Sequence, residues 1–187
     1  EIIPCDLITI IIAKIFLKKF AGEKILYDLR SSAVCAEEIK KAGGIPIVCR
    51  VGHAFIKQQL SEENGIFAGE LSGHYYFRDN YYCDNGFLAF LKVLECLSAE
   101  NKKISALVNP LKKYFASGEI NSRVADPNTV MLDIEKKYAH CATKIFKLDG
   151  LSMQFDGFWF NLRKSNTEPE LRLNLEAQSE ELMESKR

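Results

Sequence analysis

Residues 24–51 read KILYDLRSSAVCAEEIKKAGGIPIVCRV, and this stretch indicates the fold class of the N-terminal half of the chain. Residues 24–28 and 45–51 are short runs rich in apolar side chains, as strands are, and residues 32–42 between them have helical spacing. The glycine pair at 43–44 is typical of a helix end. A strand, a helix and a second strand in this order predict a βαβ unit with parallel strands.

The segments on either side extend the same α/β pattern. Glycine and polar residues separate short apolar runs from longer stretches with helical periodicity. The predicted strands are 66–68 and 74–77, and the predicted helices are 54–63, 87–97 and 104–114. We therefore expect residues 1–115 to form a first domain built around a mixed sheet.

The opening stretch, Ile2 to Phe20, is rich in isoleucine and could be mistaken for a membrane segment. Charged residues interrupt it, and its longest uncharged run is Leu7 to Ala13, whereas a membrane span needs about 20 apolar residues. We predict a buried amphipathic helix with Asp6 as its N-cap, and no membrane partner.

The C-terminal half has a different pattern. We interpret the polar stretch 116–121 as a linker that opens a second domain, residues 116–187, and residues 119–125 as a possible strand. Asp126 and Pro127 are a plausible N-cap and first-turn pair for a helix that runs to about His140. Four strands are then predicted at 144–148, 151–155, 158–163 and 170–176. The fold class expected for the whole chain is α/β plus α+β: a βαβ-containing mixed-sheet domain, then a small α+β domain with an antiparallel sheet covered on one face.

The composition excludes several classes of protein. The 187 residues include 47% hydrophobic positions, which is typical of a globular fold rather than a disordered chain. Lys plus Arg and Asp plus Glu both number 25, so no net positive field attracts nucleic acid, and RNA binding through the aromatic residues is disfavoured. The six cysteines form no CxxC pair, which favours reduced thiols and a cytoplasmic location. We find no Walker loop, no GxSxG and no carboxylate cluster for magnesium.

The segment RKSNTEP, residues 163–169, is the strongest candidate for a binding loop. Arg163 offers a planar fork of donors, while Ser165, Asn166 and Thr167 add neutral donors between two strands. These groups would form a phosphate-binding loop, and Glu168 would hold that loop in shape. The alternative is a polar hairpin loop whose side chains only satisfy the backbone of the turn, and the residues alone leave both readings open.

The segment GELSGH, residues 69–74, is a candidate sugar-binding loop. Two glycines allow the backbone to approach a ligand closely, while Glu70 and Ser72 can exchange hydrogen bonds with vicinal hydroxyls. A carboxylate across two adjacent hydroxyls distinguishes epimers, because the wrong epimer leaves a buried acceptor unpaired. A glycine-rich turn with incidental polar side chains is the alternative. Arg30 and His53 follow the first two predicted strands, at the edge where ligands of open α/β sheets bind. A solvated polar residue of the turn is the alternative for each of them.

These motifs resemble those of the α-D-phosphohexomutases, and within them the bacterial phosphomannomutase/phosphoglucomutase group. The resemblance rests on GELSGH at 69–74, RKSNTEPELR at 163–172, GHAFIK at 52–57 and the DNG triplet at 84–86, in that order. It covers the entire chain as the third and fourth of the family's four domains. Lys164 departs from the Pro that many relatives have there, and Leu71 from the Met that is common in the sugar loop.

The resemblance implies a function for each loop. Glu70 and Ser72 would bind sugar hydroxyls, with Arg30, His53 and His74 lining the same cleft, while Arg163, Ser165, Asn166 and Thr167 would hold the phosphate that is not reacting. The ligands would be hexose phosphates, namely glucose or mannose 1-phosphate and 6-phosphate. The two loops are expected to converge on opposite ends of one ligand.

The resemblance also implies an incomplete enzyme. In the family, a phosphoserine in the first domain transfers the phosphoryl group through a bisphosphate intermediate, and an aspartate-rich loop in the second domain holds Mg²⁺. Neither motif occurs here, so we expect a fragment of a phosphohexomutase that has no catalytic residue, binds no metal and is inactive alone. A phosphoglucosamine mutase fragment and a non-catalytic sugar-phosphate-binding module remain open as alternatives.

Overall fold

The structure is a computed structural model that describes residues 2–165 and 170–187. It divides into two compact units, residues 1–113 and 114–187. The division falls two residues before the domain boundary expected from the sequence. Among the described residues each unit has one five-stranded sheet, and the expected succession of a mixed-sheet α/β unit and an antiparallel α+β unit is confirmed.

The first unit contains a mixed sheet in the order β2-β1-β3-β4-β5. Its strands are β1 (Lys24–Asp28), β2 (Ile45–Cys49), β3 (Phe67–Gly69), β4 (Tyr75–Phe77) and β5 (Cys83–Asp84). β1 pairs in parallel with both β2 and β3, which confirms the βαβ unit, whereas β3, β4 and β5 pair antiparallel. The carboxyl ends of β1, β2 and β3 therefore lie at one edge of the sheet.

Helices cover both faces of this sheet. They are α1 (Cys5–Lys19), α2 (Val34–Lys41), α3 (His53–Glu62), α4 (Gly86–Glu100) and α5 (Ile104–Val108). Ile25 joins a core cluster with side chains of α1, α2 and α4, while its neighbour Leu26 joins a second cluster with Ile56 and Leu60 of α3. The alternation of side chains along the central strand thus fills two apolar layers.

Two predictions in this unit are wrong. Asp6 is not the N-cap of α1, because the helix begins at Cys5 after Pro4, and the Asp6 carboxylate instead accepts a hydrogen bond from the Ser32 amide at 2.9 Å. The helix predicted over 104–114 ends at Val108 and continues only as a 3₁₀ turn, Asn109–Leu111. Pro110 has no N–H to continue the α-helical ladder.

The second unit is an antiparallel sheet in the order β6-β10-β9-β8-β7, with helices against it. Its strands are β6 (Phe115–Arg123), β7 (Lys144–Phe146), β8 (Leu151–Gln154), β9 (Phe158–Lys164) and β10 (Glu170–Ala177), and its helices are α6 (Pro127–Tyr138) and α7 (Glu180–Lys186). Asp126 caps α6 as predicted. The linker predicted at 116–121 is wrong, because these residues belong to β6, whereas the possible strand over 119–125 is confirmed as far as Arg123. This strand is polar since it lies at the exposed edge of the sheet.

The two faces of the second sheet differ in chemistry. Leu171, Leu173 and Leu175 belong to the apolar cluster that α6 and α7 complete, which confirms the alternation expected for β10. The opposite face carries polar side chains that are themselves buried, among them Asn161, Arg163 and Asn174. Polar groups in such positions need hydrogen-bond partners, so this face is the natural place to look for a polar site in this unit.

Candidate functional site

A cluster of charged side chains lies at the carboxyl edge of the first sheet. Asp28 is the last residue of β1 and is fully buried, and Arg30 follows it in the turn. The Asp28 carboxylate accepts hydrogen bonds from Arg30 Nη2 at 2.8 Å, from Arg30 Nε at 3.2 Å and from the Arg30 amide at 2.8 Å. These hydrogen bonds fix the position of the Arg30 guanidinium, and the Arg30 side chain is only 11% exposed.

Asp28 also holds the loop that follows β3. Its Oδ2 accepts a hydrogen bond from the Leu71 amide at 2.8 Å, and the neighbouring Glu70 side chain accepts one from Arg30 Nη2 at 3.2 Å. The two carboxylates share one guanidinium, so the turn after β1 and the loop after β3 form a single bonded unit. Burying these two carboxylates is tolerated because both contact the Arg30 guanidinium and Asp28 also accepts hydrogen bonds from two backbone amides.

The loop over residues 69–74 is a tight turn. The Gly73 amide bonds to the Glu70 carbonyl and the Glu70 amide to the His74 carbonyl, both at 2.9 Å, with Gly73 at φ +90°. Gly69 is required for another reason, because a Cβ there would lie 2.0 Å from Thr9 Oγ1 on α1. The turn leaves Ser72 and His74 exposed while Glu70 is buried.

Tyr76 connects Glu70 to His53. Its hydroxyl lies 3.2 Å from Glu70 Oε2 and 3.1 Å from His53 Nδ1, while its ring is fully buried in the cluster with Leu60. Burial, and secondarily the Glu70 charge, raise the pKa of the Tyr76 phenol, so the hydroxyl keeps its proton. His53 begins α3 directly after Gly52, whose φ is +124°.

The other histidine of the cluster, His74, is held by Asp84. Asp84 Oδ2 lies 2.7 Å from His74 Nδ1, and Asp84 Oδ1 accepts a hydrogen bond from the Tyr75 amide at 2.9 Å. The rings of His53 and His74 lie edge to face with centroids 6.2 Å apart. The structure therefore brings Arg30, Glu70, His53 and His74 together as the sequence suggested, with Ser72 on the exposed side of the same loop.

The second candidate site lies on the polar face of the second sheet. Arg163 on β9 donates to Glu119 Oε2 at 2.7 Å, and Arg172 on β10 lies 3.4 Å from Glu119 Oε1. Arg172 Nη2 also donates to Ser165 Oγ at 3.2 Å. The Nε atoms of both arginines are buried and have no hydrogen-bond partner in the described part of the chain. Asn166 and Thr167 lie outside the described residues.

Among the described residues, two guanidinium groups and one carboxylate are in contact at the arginine site. Arg163 and Arg172 occupy directly opposed positions on β9 and β10, and Glu119 is the carboxylate that contacts both of them. Gly150, at φ +75°, allows the chain to pass close behind Arg163, because a Cβ there would lie 2.1 Å from the Leu162 carbonyl oxygen. Two guanidinium groups with one carboxylate suit the binding of an anion.

Five contributors were not predicted as site residues from the sequence, namely Asp28, Tyr76, Asp84, Glu119 and Arg172. Asp28 offered a signal, since it is a carboxylate at the carboxyl end of a predicted parallel strand. Asp84 and Arg172 lie in the quoted motifs at 84–86 and 163–172, but no role was assigned to them. Tyr76 and Glu119 offered no signal, because their roles follow from strand pairing and side-chain direction. Within residues 2–165 and 170–187, no group of three His, Cys, Asp or Glu side chains is placed to hold a metal ion. No described helix has both the length and the apolarity to cross a membrane.

Comparison with known proteins relates both units to one family. The model of Phosphoglucomutase/phosphomannomutase, alpha/beta/alpha domain III, matches residues 4–114, and that of the C-terminal domain matches residues 119–186. A phosphomannomutase of Methanocaldococcus jannaschii is 48% identical over 97% of this chain, and that of Escherichia coli K12 is 41% identical over 94%. The matched regions are 40% and 39% of those proteins, so the chain spans about two fifths of their length.

A solved structure agrees with the sequence matches. The phosphoglucomutase/phosphomannomutase family protein of Burkholderia thailandensis has a TM-score of 0.86 and 29% identity. The superposition covers 99% of this chain and 40% of that protein. The similarity therefore extends over both units.

Proposed function

We propose that this chain, which belongs to the phosphoglucomutase/phosphomannomutase family, is the sugar-binding and phosphate-binding part of an enzyme that interconverts hexose 1-phosphate and hexose 6-phosphate. The first unit would contribute the sugar contacts and the second unit the phosphate contacts. The parent enzyme would be a cytoplasmic isomerase that acts on glucose or mannose phosphates through a bisphosphate intermediate.

The observation that carries the proposal is the position of the Glu70 carboxylate. It is buried and held between Arg30 at 3.2 Å and the Tyr76 hydroxyl at 3.2 Å, so both of its oxygens have fixed directions. A fixed carboxylate can accept hydrogen bonds from two adjacent sugar hydroxyls without reorganising. An epimer with one hydroxyl displaced would leave an acceptor unsatisfied, at a cost of about 1–3 kcal/mol.

The arginine site supports the phosphate half of the proposal. Arg163 is held by Glu119, and its Nε, which has no partner among residues 2–165 and 170–187, is a donor that an anion could use. Ser165 would add a hydroxyl, and Asn166 and Thr167 are proposed from the sequence motif alone. Anchoring the phosphate that does not react would let binding energy position the reacting end of the sugar.

The phosphoryl transfer itself is not assigned to any residue of this chain. The chemistry that Mg²⁺ supplies in such a reaction, the neutralisation of developing charge on phosphoryl oxygens, is proposed for the parent enzyme. The residues assigned here bind and orient the sugar phosphate. Both orientations of the substrate must be accepted in turn, and fixed sugar and phosphate contacts suit that requirement.

Calorimetric titration tests the proposal. The wild-type chain should bind glucose 1-phosphate or mannose 1-phosphate, and Arg163→Ala should weaken this binding by about 1.5–3 kcal/mol, a loss of roughly 10- to 150-fold. Arg123→Ala is the matched control, since Arg123 belongs to the same unit but its side chain is 86% exposed. An Arg163→Ala variant that is folded and binds as tightly as the Arg123→Ala variant would contradict the proposal.

A further inference from the structure

We infer that Tyr76 is a positioning residue whose hydroxyl, held by Glu70, fixes the Nδ1–H tautomer of His53 and leaves His53 Nε2 as a hydrogen-bond acceptor for a substrate hydroxyl. This inference rests on the proposed function for the identity of the ligand. The tautomer itself can be tested without any ligand. Tyr76 would act through Glu70 and His53, so it is not assigned a catalytic role.

The direction of the hydrogen bonds follows from a count of protons. The Tyr76 hydroxyl has one proton and lies within hydrogen-bond distance of Glu70 Oε2 and His53 Nδ1. The Glu70 carboxylate offers only acceptors, and it already accepts from Arg30. The hydroxyl therefore donates to Glu70 and must accept from His53, which places the ring proton on Nδ1.

This tautomer determines which nitrogen of His53 can accept a hydrogen bond. A neutral imidazole with its proton on Nδ1 has a lone pair on Nε2. His53 is exposed at the start of α3, so Nε2 can meet a ligand that lies over the carboxyl edge of the sheet. Glu70 and His53 would then both act as acceptors, a combination that suits the donor hydroxyls of a sugar.

The position of Tyr76 is determined by its packing. Its ring is fully buried, and β4 pairs with β3 so that Tyr76 faces Ala68 on the side of the sheet covered by α3. The adjacent Tyr75 faces the opposite side, and its hydroxyl donates to the Cys5 carbonyl at 3.1 Å. Tyr75→Phe is therefore a matched control, because it removes the same hydroxyl from the same strand outside the site.

The experiment is nitrogen NMR of the histidine rings in the ligand-free chain. The three histidines of the chain can be assigned through His53→Gln and His74→Gln variants. We expect the Nδ1–H tautomer for His53 in the wild type and in Tyr75→Phe, and a shift toward the Nε2–H form in Tyr76→Phe. The affinity for glucose 1-phosphate should fall about fivefold in Tyr76→Phe, as expected for one lost hydrogen bond of about 1 kcal/mol.

The outcomes separate this inference from the proposed function. A wild-type His53 with its proton on Nε2, or a tautomer that Tyr76→Phe leaves unchanged, would overturn the inference even if the chain binds hexose phosphate. A tautomer that switches in Tyr76→Phe while the wild type binds no hexose phosphate would support the hydrogen-bond relay and refute the proposed function. If the tautomer switches but affinity stays the same, the assigned role toward substrate is wrong.

Discussion

Arg163 and Arg172 lie directly opposite each other on adjacent antiparallel strands, and the Glu119 carboxylate contacts both guanidinium groups. Like charges in opposed positions of a sheet destabilise it unless a counter-charge is present. The protein itself supplies that counter-charge at Glu119. A bound phosphate would supply a second one.

We predict that Glu119→Gln destabilises the chain and makes its stability depend on added anions. Removing the carboxylate that both guanidinium groups contact should cost about 1–2 kcal/mol without phosphate, because Arg163 is buried although Glu119 itself lies at an exposed position of β6. Thermal unfolding with phosphate and with chloride at matched ionic strength measures the effect. Phosphate should raise the melting temperature of Glu119→Gln more than that of the wild type, and an equal increase in both would contradict the assignment.

Asp28→Asn should weaken the attachment of the candidate sugar-binding loop, residues 69–74, to Arg30. The introduced side-chain amide cannot accept hydrogen bonds from both the Leu71 backbone N–H and the Arg30 guanidinium, as the carboxylate does. We therefore expect the affinity for glucose 1-phosphate to fall by about 10-fold or more, the loss expected for one charge-assisted hydrogen bond. Binding of inorganic phosphate should be unchanged. Glu38→Gln serves as the control, since Glu38 is another buried carboxylate of the first unit that bonds to lysines on α1 and near α5. The assignment fails if both variants behave alike in the sugar phosphate titration.

Gly69→Ala should displace the candidate sugar-binding loop, residues 69–74, because it adds a Cβ where β3 packs against α1. A Cβ at this position would lie 2.0 Å from Thr9 Oγ1 and 2.5 Å from Thr9 Cγ2, so β3 and α1 must move apart. Overpacking of this kind costs about 1–3 kcal/mol of unfolding free energy. Gly86→Ala, with nothing within 4 Å of the added Cβ, should be neutral or slightly stabilising. Chemical denaturation compares the two, and an equal effect would show that the Thr9 contact does not constrain the loop.

Stability should fall in acid as Glu38 becomes protonated. Hydrogen bonds from Lys14, and then from Lys113, lower the pKa of Glu38 from 4.5 to about 2. Because the folded-state pKa is the lower one, this contribution is present above about pH 4.5 and is lost as the pH falls toward 2. We expect the ionised Glu38 to contribute about 1–2 kcal/mol to the free energy of unfolding, since the side chains of Lys14 and Lys113 are more than a third exposed and solvent screens their charges.

Denaturant unfolding at several pH values checks the contribution of Glu38. The curve of stability against pH for Glu38→Gln should be flatter than that of the wild type between pH 4.5 and 2. Glu62→Gln, at an exposed position of α3, should retain the wild-type slope. Identical slopes for the wild type and Glu38→Gln would show that this ion pair does not contribute.

The sequence predicted the strands better than the contacts between them. β1 was predicted with its observed bounds, because its residues are apolar and the next segment turns. The polar strand β6 was recognised only in part, over 119–123, and its first residues were interpreted as a linker, since an exposed edge strand has no apolar alternation to mark its start. Asp6 satisfies the local rule for a helix cap, but the Ser32 amide, brought near by tertiary packing, binds its carboxylate instead.

The same limit applies to the candidate site. Glu70 and Arg163 could be identified because each lies in a segment with unusual local chemistry. Tyr76 could not, because Tyr75 and Tyr76 are identical in local sequence terms, and only the pairing of β4 with β3 determines which hydroxyl faces Glu70. Glu119 lies both in the predicted linker 116–121 and in the possible strand 119–125, and neither pattern indicates that its carboxylate contacts Arg163 and Arg172.

The most direct test of the account is the affinity of Glu70→Gln for glucose 1-phosphate and for inorganic phosphate, measured by calorimetry beside the wild type. The account predicts that the substitution weakens glucose 1-phosphate binding by about 10-fold or more, since it removes a charged acceptor of sugar hydroxyls, and leaves inorganic phosphate binding unchanged. A folded Glu70→Gln chain that binds glucose 1-phosphate as tightly as the wild type would contradict it.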